Sequence, residues 1–327
     1  MIKKLLLTTI LGATGFLYAN VNAVVSVLPQ KTFVEAIGGD KVDVALMVKP
    51  GSSPHTYEPK PSQMKDINNA DIYFSIGVEF EHSWLPKFVS LNKKMQIGDM
   101  AKGIEKMAMG KHSHGEDKHE EDEHEEDAKH DEHNQHDEHK NHNEEHADHD
   151  HQKEDHDKHA DHDDEYDSTD PHLWTSPANV KIIAKNIYEN LVNLDMKNKD
   201  YYKKNYEKFI EHVNKTDKTI KRILLDTPTG TKFMVFHPAW GYFARDYGLT
   251  QVAIEAGGKN PKPKQVAYLI DEAKEEKVKA VFTAPEFSDK VATQIAKEVG
   301  IPVIKVSPLN PKWSENLLNL ANAIANK

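Results

Sequence analysis

The chain of 327 residues holds twenty histidines, and fifteen of them fall between Lys111 and Asp167, among 25 Asp/Glu and 6 Lys. Imidazole and carboxylate are the side chains that hold divalent metal ions, so metal binding is the chemistry this composition points to. Only five His stand outside that run. His55 lies in PGSSPHTYEPKPSQ, after an apolar run that ends near Val48. His172 lies in DPHLWTSP, and His237 in FMVFHPAWGYF, directly before Pro238. A lone His near a strand end is more often a hydrogen-bonded surface residue than a ligand, and His82 and His212 keep that reading. The other three gain weight jointly, because each sits in a loop rich in Pro and aromatics. Two of them follow strands at the carboxyl end, where parallel α/β sheets collect ligands.

The His-rich run itself is a poor candidate for a tight site. It has almost no apolar residues, cannot offset its ordering entropy by burial, and is expected to be disordered. At 57 residues it also exceeds the connections that compact domains normally tolerate. Its many interchangeable donors would give several weaker sites, whereas three His on rigid elements lose less on binding. The run is expected to capture metal ions at low occupancy or to sense excess, and then to hand the ion on. The alternative is an acidic solubilising linker. Its local charge balance is −19, so the rest of the chain carries +8 of the −11 total. That body is only mildly basic and has no basic patch interleaved with aromatics, which leaves nucleic-acid binding unsupported.

Residues 1–23, MIKKLLLTTILGATGFLYANVNA, have the parts of a secretory signal. Lys3 and Lys4 supply positive charge, Leu5 to Leu17 an apolar segment, and Val21 and Ala23 a small-residue cleavage site. The apolar stretch is short for a membrane span, so a cleaved signal is expected rather than stable membrane insertion. The chain has no Cys, which removes disulfides and a lipid on an N-terminal Cys. A periplasmic protein is the simplest outcome.

The elements that must position the three His read as α/β. VVSVLP, KVDVALMV and DIYFSIG read as strands, alternating with helices in KTFVEAIGGD and KPSQMKDINNA. SPANVKIIAKNIYENLVNL reads as a helix capped by Ser176 with Pro177 at its first position. From Asn198 to Asp226 there is no Gly or Pro, and Tyr202, Tyr206, Phe209, Val213, Ile220 and Leu224 recur at near-helical intervals. That stretch predicts one long rigid helix. Alternation then resumes, with strands in KFMVF, QVAIE, KAVFTA and IPVIKV and a terminal helix from Trp313. The expected architecture is an N-terminal lobe (24–197, carrying the insert 111–167), a linking helix (198–226) and a C-terminal lobe (227–327). Both lobes hold parallel-type sheets.

Four ordered stretches, PGSSPHTYEPKPSQMKDINNADIYFSIG, DPHLWTSPANVKIIAKNIYENL, FHPAWGYFARDYGL and APEFSDKVATQIAKEVGIPV, together resemble the metal-specific solute-binding proteins of bacterial ABC transporters, in particular the zinc-uptake (ZnuA-type) branch. The resemblance covers essentially the whole mature chain. It implies two α/β lobes, a rigid connecting helix and one Zn2+ in the cleft as transported ligand. It also implies an inner-membrane ABC zinc permease with its ATPase as partner, with the binding protein acting as a monomer. Carried over position by position, it places the first three ligands on His55, His172 and His237. Manganese-binding relatives tend to have a carboxylate at the third position, whereas nitrogen donors suit zinc. The fourth ligand departs from the family pattern. Zinc-type relatives often read Glu-Pro-x-Phe there; in this chain Ala284 precedes Pro285, and Glu286 follows it in a different register. Water is favoured as the fourth ligand, with Glu286 as the alternative. Asp170 is a candidate to orient a ring nitrogen.

A zinc hydrolase is the rival class, since three protein ligands plus water also build catalytic zinc. There is no H-E-x-x-H on any helix, and Glu286 is the one candidate base, so no enzymatic activity is expected. A periplasmic zinc buffer or adhesin is the third class. Because imidazole must lose its proton to bind, zinc affinity is expected to fall steeply below about pH 6.

Overall fold

Short apolar runs alternating with amphipathic helical stretches bury both faces of a parallel sheet under helices, and the chain forms two such sheets. The computed structural model describes residues 20–109, 169–255 and 260–326. The segment 111–167, expected to be disordered, and residues 1–19 of the expected signal lie outside them.

In the first lobe β1 (Val21–Val25), α1 (Leu28–Gly38), β2 (Val42–Leu46), α2 (Pro61–Asn69), β3 (Ile72–Ser75), α3 (Glu79–Leu91) and β4 (Gln96–Asp99) follow in order. The four strands are parallel, in the order β2-β1-β3-β4. β1 starts earlier than the sequence suggests. Val21 pairs with Val42, and Ala23, almost fully buried, pairs with both Val44 and Ile72. A cut after Ala23 would remove three of the five residues of a central strand, so the folded body begins at or before Val21. The apolar run VVSVLP also divides differently: the strand ends at Val25, and α1 takes Leu28 with Pro29 in its first turn.

Two elements of this lobe escape the sequence patterns. α3 carries Pro86 inside it, and β4 contains Gly98 and Asp99, both weak strand formers. Gly98 is there for space. A Cβ on it would come within 2.9–3.0 Å of Phe74 and Ile72 side-chain atoms of the neighbouring strand.

α4 (Pro177–Leu194) returns over the first sheet, its N-terminus capped by Ser176 accepting from the Asn179 amide at 3.1 Å. α5 (Lys199–Ile223) is 25 residues, about 37 Å long. Its buried stripe is Tyr202, Phe209, Val213, Thr216 and Ile220, with intervals of three, four and seven that keep one face inward. That face meets α1 and α4 near one end and the terminal helix near the other. Phe33 of α1 lies 5.5 Å from Phe209 and edge-on to Trp313 at 5.7 Å, which joins all three helices.

The second lobe runs β5 (Lys232–Val235), α6 (Gly241–Tyr247), β6 (Thr250–Ala253), α7 (Pro263–Glu275), β7 (Val281–Thr283), α8 (Lys290–Val299), β8 (Val303–Lys305) and α9 (Trp313–Ala325). Its sheet is again parallel, in the order β6-β5-β7-β8. Alternation along β5 supplies both faces. Phe233 and Val235 join the core shared with α5, α6 and α9, while Met234 and Phe236 join a second core under α7 and α8. Among the described residues, no helix is long and apolar enough to cross a membrane.

Candidate metal centre

Each of the three histidines arrives by a separate construction. His55 rides the loop between β2 and α2. That loop is tied back by Gln63, whose amide donates to the carbonyls of Met47 (2.6 Å) and Leu46 (3.1 Å) and whose oxygen accepts from the Tyr57 hydroxyl at 2.9 Å. His172 precedes a single 3-10 turn, Leu173–Thr175. The Trp174 indole there donates to the Pro308 carbonyl at 2.7 Å, and the Trp313 indole donates to the Trp174 carbonyl at 2.6 Å. His237 continues β5. Phe236 N donates to Phe282 O of β7, and on the other side Ile254 N donates to Val235 O and Glu255 N to Phe236 O, which carries the β5–β6 register, Val235 opposite Ala253, on until His237 stands opposite Glu255.

The three rings meet. Nε2 of His237 lies 3.4 Å from Nε2 of His55 and 3.3 Å from Nε2 of His172. One nitrogen of each lies within 4.8 Å of the other two. Two nitrogens bound to one tetrahedral zinc at about 2.05 Å would be separated by about 3.3–3.4 Å. The measured spacings match that figure with no rearrangement of those two pairs.

The outer nitrogens explain why the inner ones can bind a cation. His55 Nδ1 is 2.7 Å from Glu79 Oε2, His172 Nδ1 is 2.8 Å from Asp170 Oδ1, and His237 Nδ1 is 2.6 Å from Glu255 Oε1. An ionised carboxylate only accepts, so a ring paired in this way holds its proton on Nδ1 and, when neutral, presents a bare lone pair at Nε2. Three lone pairs then converge with no proton between them. That arrangement repels itself until a cation enters, and the three carboxylates make the surroundings favourable to positive charge. Burial, opposed by the Glu255 hydrogen bond and aided by the neighbouring His172 and His55, pushes the His237 imidazole down to about 4. His237 is therefore unprotonated at neutral pH. Phe287 stacks on His237 with centroids 4.5 Å apart, and Trp174 sits edge-on to His172 at 5.5 Å, which keeps water from the inner side. His55 is the exposed member, its side chain 27% accessible against 5% and 8% for the others.

Among the sequence candidates, Glu286 is the one the structure does not bring in. The turn after β7 places Phe287, one residue on, against His237, and this turns the preceding carboxylate toward Ser307, whose hydroxyl donates to Glu286 Oε1 at 2.8 Å. Asp170 does orient a ring nitrogen, that of His172. Glu79 and Glu255 were not singled out from sequence. Both stand just beyond strand carboxyl ends, after β3 and β6, and that position was the available signal. His82 and His212 are exposed and lie outside the cluster.

Residues 23–326 match the family described as ZnuA, zinc-uptake complex component A, periplasmic. The chain belongs to this family. It is 31% identical over 286 residues to the high-affinity zinc uptake system protein ZnuA of Bacillus subtilis (strain 168), covering 85% of this chain and 75% of that protein. It is 29% identical over 293 residues to the zinc-binding protein AdcA of Streptococcus pyogenes serotype M3, covering 88% of this chain and 50% of that protein, so it spans about half the relative's length. A crystal structure of ZnuA superposes with a TM-score of 0.74 at 34% identity, covering 94% of this chain and 98% of the other.

Proposed function

We propose that this member of the ZnuA family is a periplasmic solute-binding protein that captures Zn2+ in the cleft between its lobes and delivers it to an inner-membrane ABC permease and its ATPase. His55, His172 and His237 are the ligands, each through Nε2, and a water completes the tetrahedron. The observation that carries this reading is the convergence of three carboxylate-oriented His rings, with the Nε2 of His237 at tetrahedral zinc spacing from the Nε2 of both others. The names of the zinc-uptake and zinc-binding relatives support zinc as the cargo. An all-nitrogen protein set also favours zinc over manganese, which prefers oxygen donors. The water keeps one position open, through which the ion can be passed on. No reaction is assigned to the site: a hydrolase would need a base beside that water, and Glu286, whose Oε1 accepts from Ser307, is not among the residues that cluster there.

The signal peptide is removed before Val21, and Ala19 offers a small residue at a cleavage point that leaves β1 whole. The intact mass of the exported protein tests this. A mature chain beginning at Val24 would count against it.

The decisive experiment is complementation. A strain lacking this protein should grow poorly when zinc is chelated. Growth should return with the wild-type chain and not with His237→Ala. Full rescue by His237→Ala would overturn the ligand assignment, and normal growth of the deletion strain would overturn the uptake role.

A further inference from the structure

His172 belongs to the connection that precedes α4, yet the group that orients it is held by the other lobe. Asp170 Oδ1 accepts from both the backbone N and the Nδ1 of His172, at 2.9 and 2.8 Å. Its second oxygen, Oδ2, faces Gly241, the first residue of α6. A Cβ built on Gly241 would lie 2.7 Å from Oδ2, closer than carbon and oxygen approach without bonding. Gly241 is not one of the positive-φ glycines, so the backbone does not require glycine there. Space for Asp170 does.

The next residue holds the Asp170 backbone. The Tyr242 hydroxyl donates to Asp170 O at 2.9 Å and accepts from Met107 N at 3.0 Å. Asp170 N in turn donates to Met107 O at 2.7 Å, and Ala108 and Thr169 form an antiparallel bridge. One fully buried phenol thus closes both backbone segments on which the Asp170–His172 pair stands.

We infer that Gly241 and Tyr242 are positioning residues for zinc: they fix the Asp170 carboxylate, and through it the His172 ring, by direct contact from the second lobe. The inference rests on the carrier reading above and names residues that touch no ion themselves. A methyl group at position 241 must displace Oδ2, and because the carboxylate is planar, turning Oδ2 away also turns Oδ1 out of line with Nδ1 and the His172 amide. The His172 ring then loses its fixed tautomer and direction. Removing the Tyr242 hydroxyl leaves Asp170 O and Met107 N without their shared partner and loosens the same carboxylate from its backbone side.

The test uses the metal-stripped full chain, titrated with zinc against a chelator strong enough to empty all but the tightest site. Gly241→Ala and Tyr242→Phe are each compared in the wild-type and Asp170→Ala backgrounds. Gly241→Ala should weaken zinc binding about 10–100-fold in the wild-type background, the range seen when a group orienting a ligand is lost. In the Asp170→Ala background, where there is no carboxylate to displace, it should change affinity less than about twofold. Tyr242→Phe keeps the ring in the core, so it should fold; it should weaken zinc binding and alter the visible absorption of the cobalt-loaded tight site. Wild-type affinity in Gly241→Ala, or an equal loss in both backgrounds, would overturn the inference, as would an unchanged cobalt spectrum in Tyr242→Phe. A wild-type chain with no tight site would instead overturn the carrier reading, and that result is visible before any variant is compared.

Discussion

Glu255→Gln isolates the electrostatic part of the zinc site. Gln keeps an oxygen to accept the His237 Nδ1 proton, keeps nearly the same volume, and removes one negative charge. Glu255 Oε1 is 2.6 Å from Nδ1, and across the imidazole to the point where the three Nε2 atoms meet the distance is about 6–7 Å. At an effective dielectric of about 20, a divalent cation and a carboxylate at that separation attract by about 5 kcal/mol. Part of that is offset by the cost of keeping Glu255, only 3% exposed, ionised in the interior, and part is kept by the amide dipole. Loss of such carboxylate partners lowers metal affinity 10–100-fold, or about 1.4–2.7 kcal/mol, and that is the expected range. Chelator-competition titration of the metal-stripped chain at pH 6.5 and 7.5 measures it. The loss should be the same at both, because His237, held at about 4 in the wild type, is unprotonated at either pH. The Gln variant loses the negative charge that helps to raise His237, so the same holds there. Zinc affinity within twofold of wild type would refute the argument that the buried carboxylates tune the site rather than merely filling space.

Three further outcomes follow from the same structure. Burial raises Glu81 to about 7 against three hydrogen bonds that favour its ionised form, from Ser26, Gly77 and Ile76. Between about pH 4.5 and 7 the folded state holds a proton that the unfolded state has released, so this group's stabilisation is complete below that window and lost as pH rises through it. His237 acts with the opposite sign between about pH 4 and 6.5, so the comparison must be with Glu81→Gln. The stability of the metal-free wild type relative to that variant should drop by about 3 kcal/mol from pH 4.5 to 8 in urea unfolding, and a pH-independent difference would contradict it. Phe33→Ala empties the joint between α1, α5 and α9 and should cost about 3–5 kcal/mol; a loss under 1 kcal/mol in urea unfolding would mean α5 is not held there. Excising Lys111 to Asp167 should lower the number of zinc ions bound at equilibrium dialysis and leave one tight site, whereas loss of the tight site would move the binding function into the excised run.

Most of the fold was legible because burial imposes a period. The runs KFMVF and KVDVALMV, and the stripe from Tyr202 to Ile220, could hardly be anything but strands and a helix once flanking Gly and Pro were counted. α3 and β4 were not legible, because Pro86 and Gly98 break local patterns and are tolerated only through tertiary packing. The start of β1 was misread because VNAVV serves equally as the end of a signal and as a buried strand; pairing with both β2 and β3 decides it. In the site, the three His were legible from Pro- and aromatic-rich loops at strand ends and from the family resemblance. Glu286 could be named only as an alternative to water because a turn's direction cannot be read from its composition. Glu79 and Glu255 were passed over because a single Glu in a strand–helix junction has no distinguishing neighbour; their role is visible only once the β5–β6 register sets Glu255 opposite His237 and the β2–α2 loop lays His55 on Glu79.

X-ray absorption at the zinc edge, on the chain loaded with one equivalent of zinc and washed with a competing chelator, is the most direct test. The expected spectrum has three imidazole nitrogens and one light oxygen donor at about 2.0–2.1 Å, and loses imidazole scattering in His55→Ala, His172→Ala and His237→Ala alike. A shell dominated by carboxylate oxygen, or one unchanged by any of the three substitutions, would show that the ion sits elsewhere.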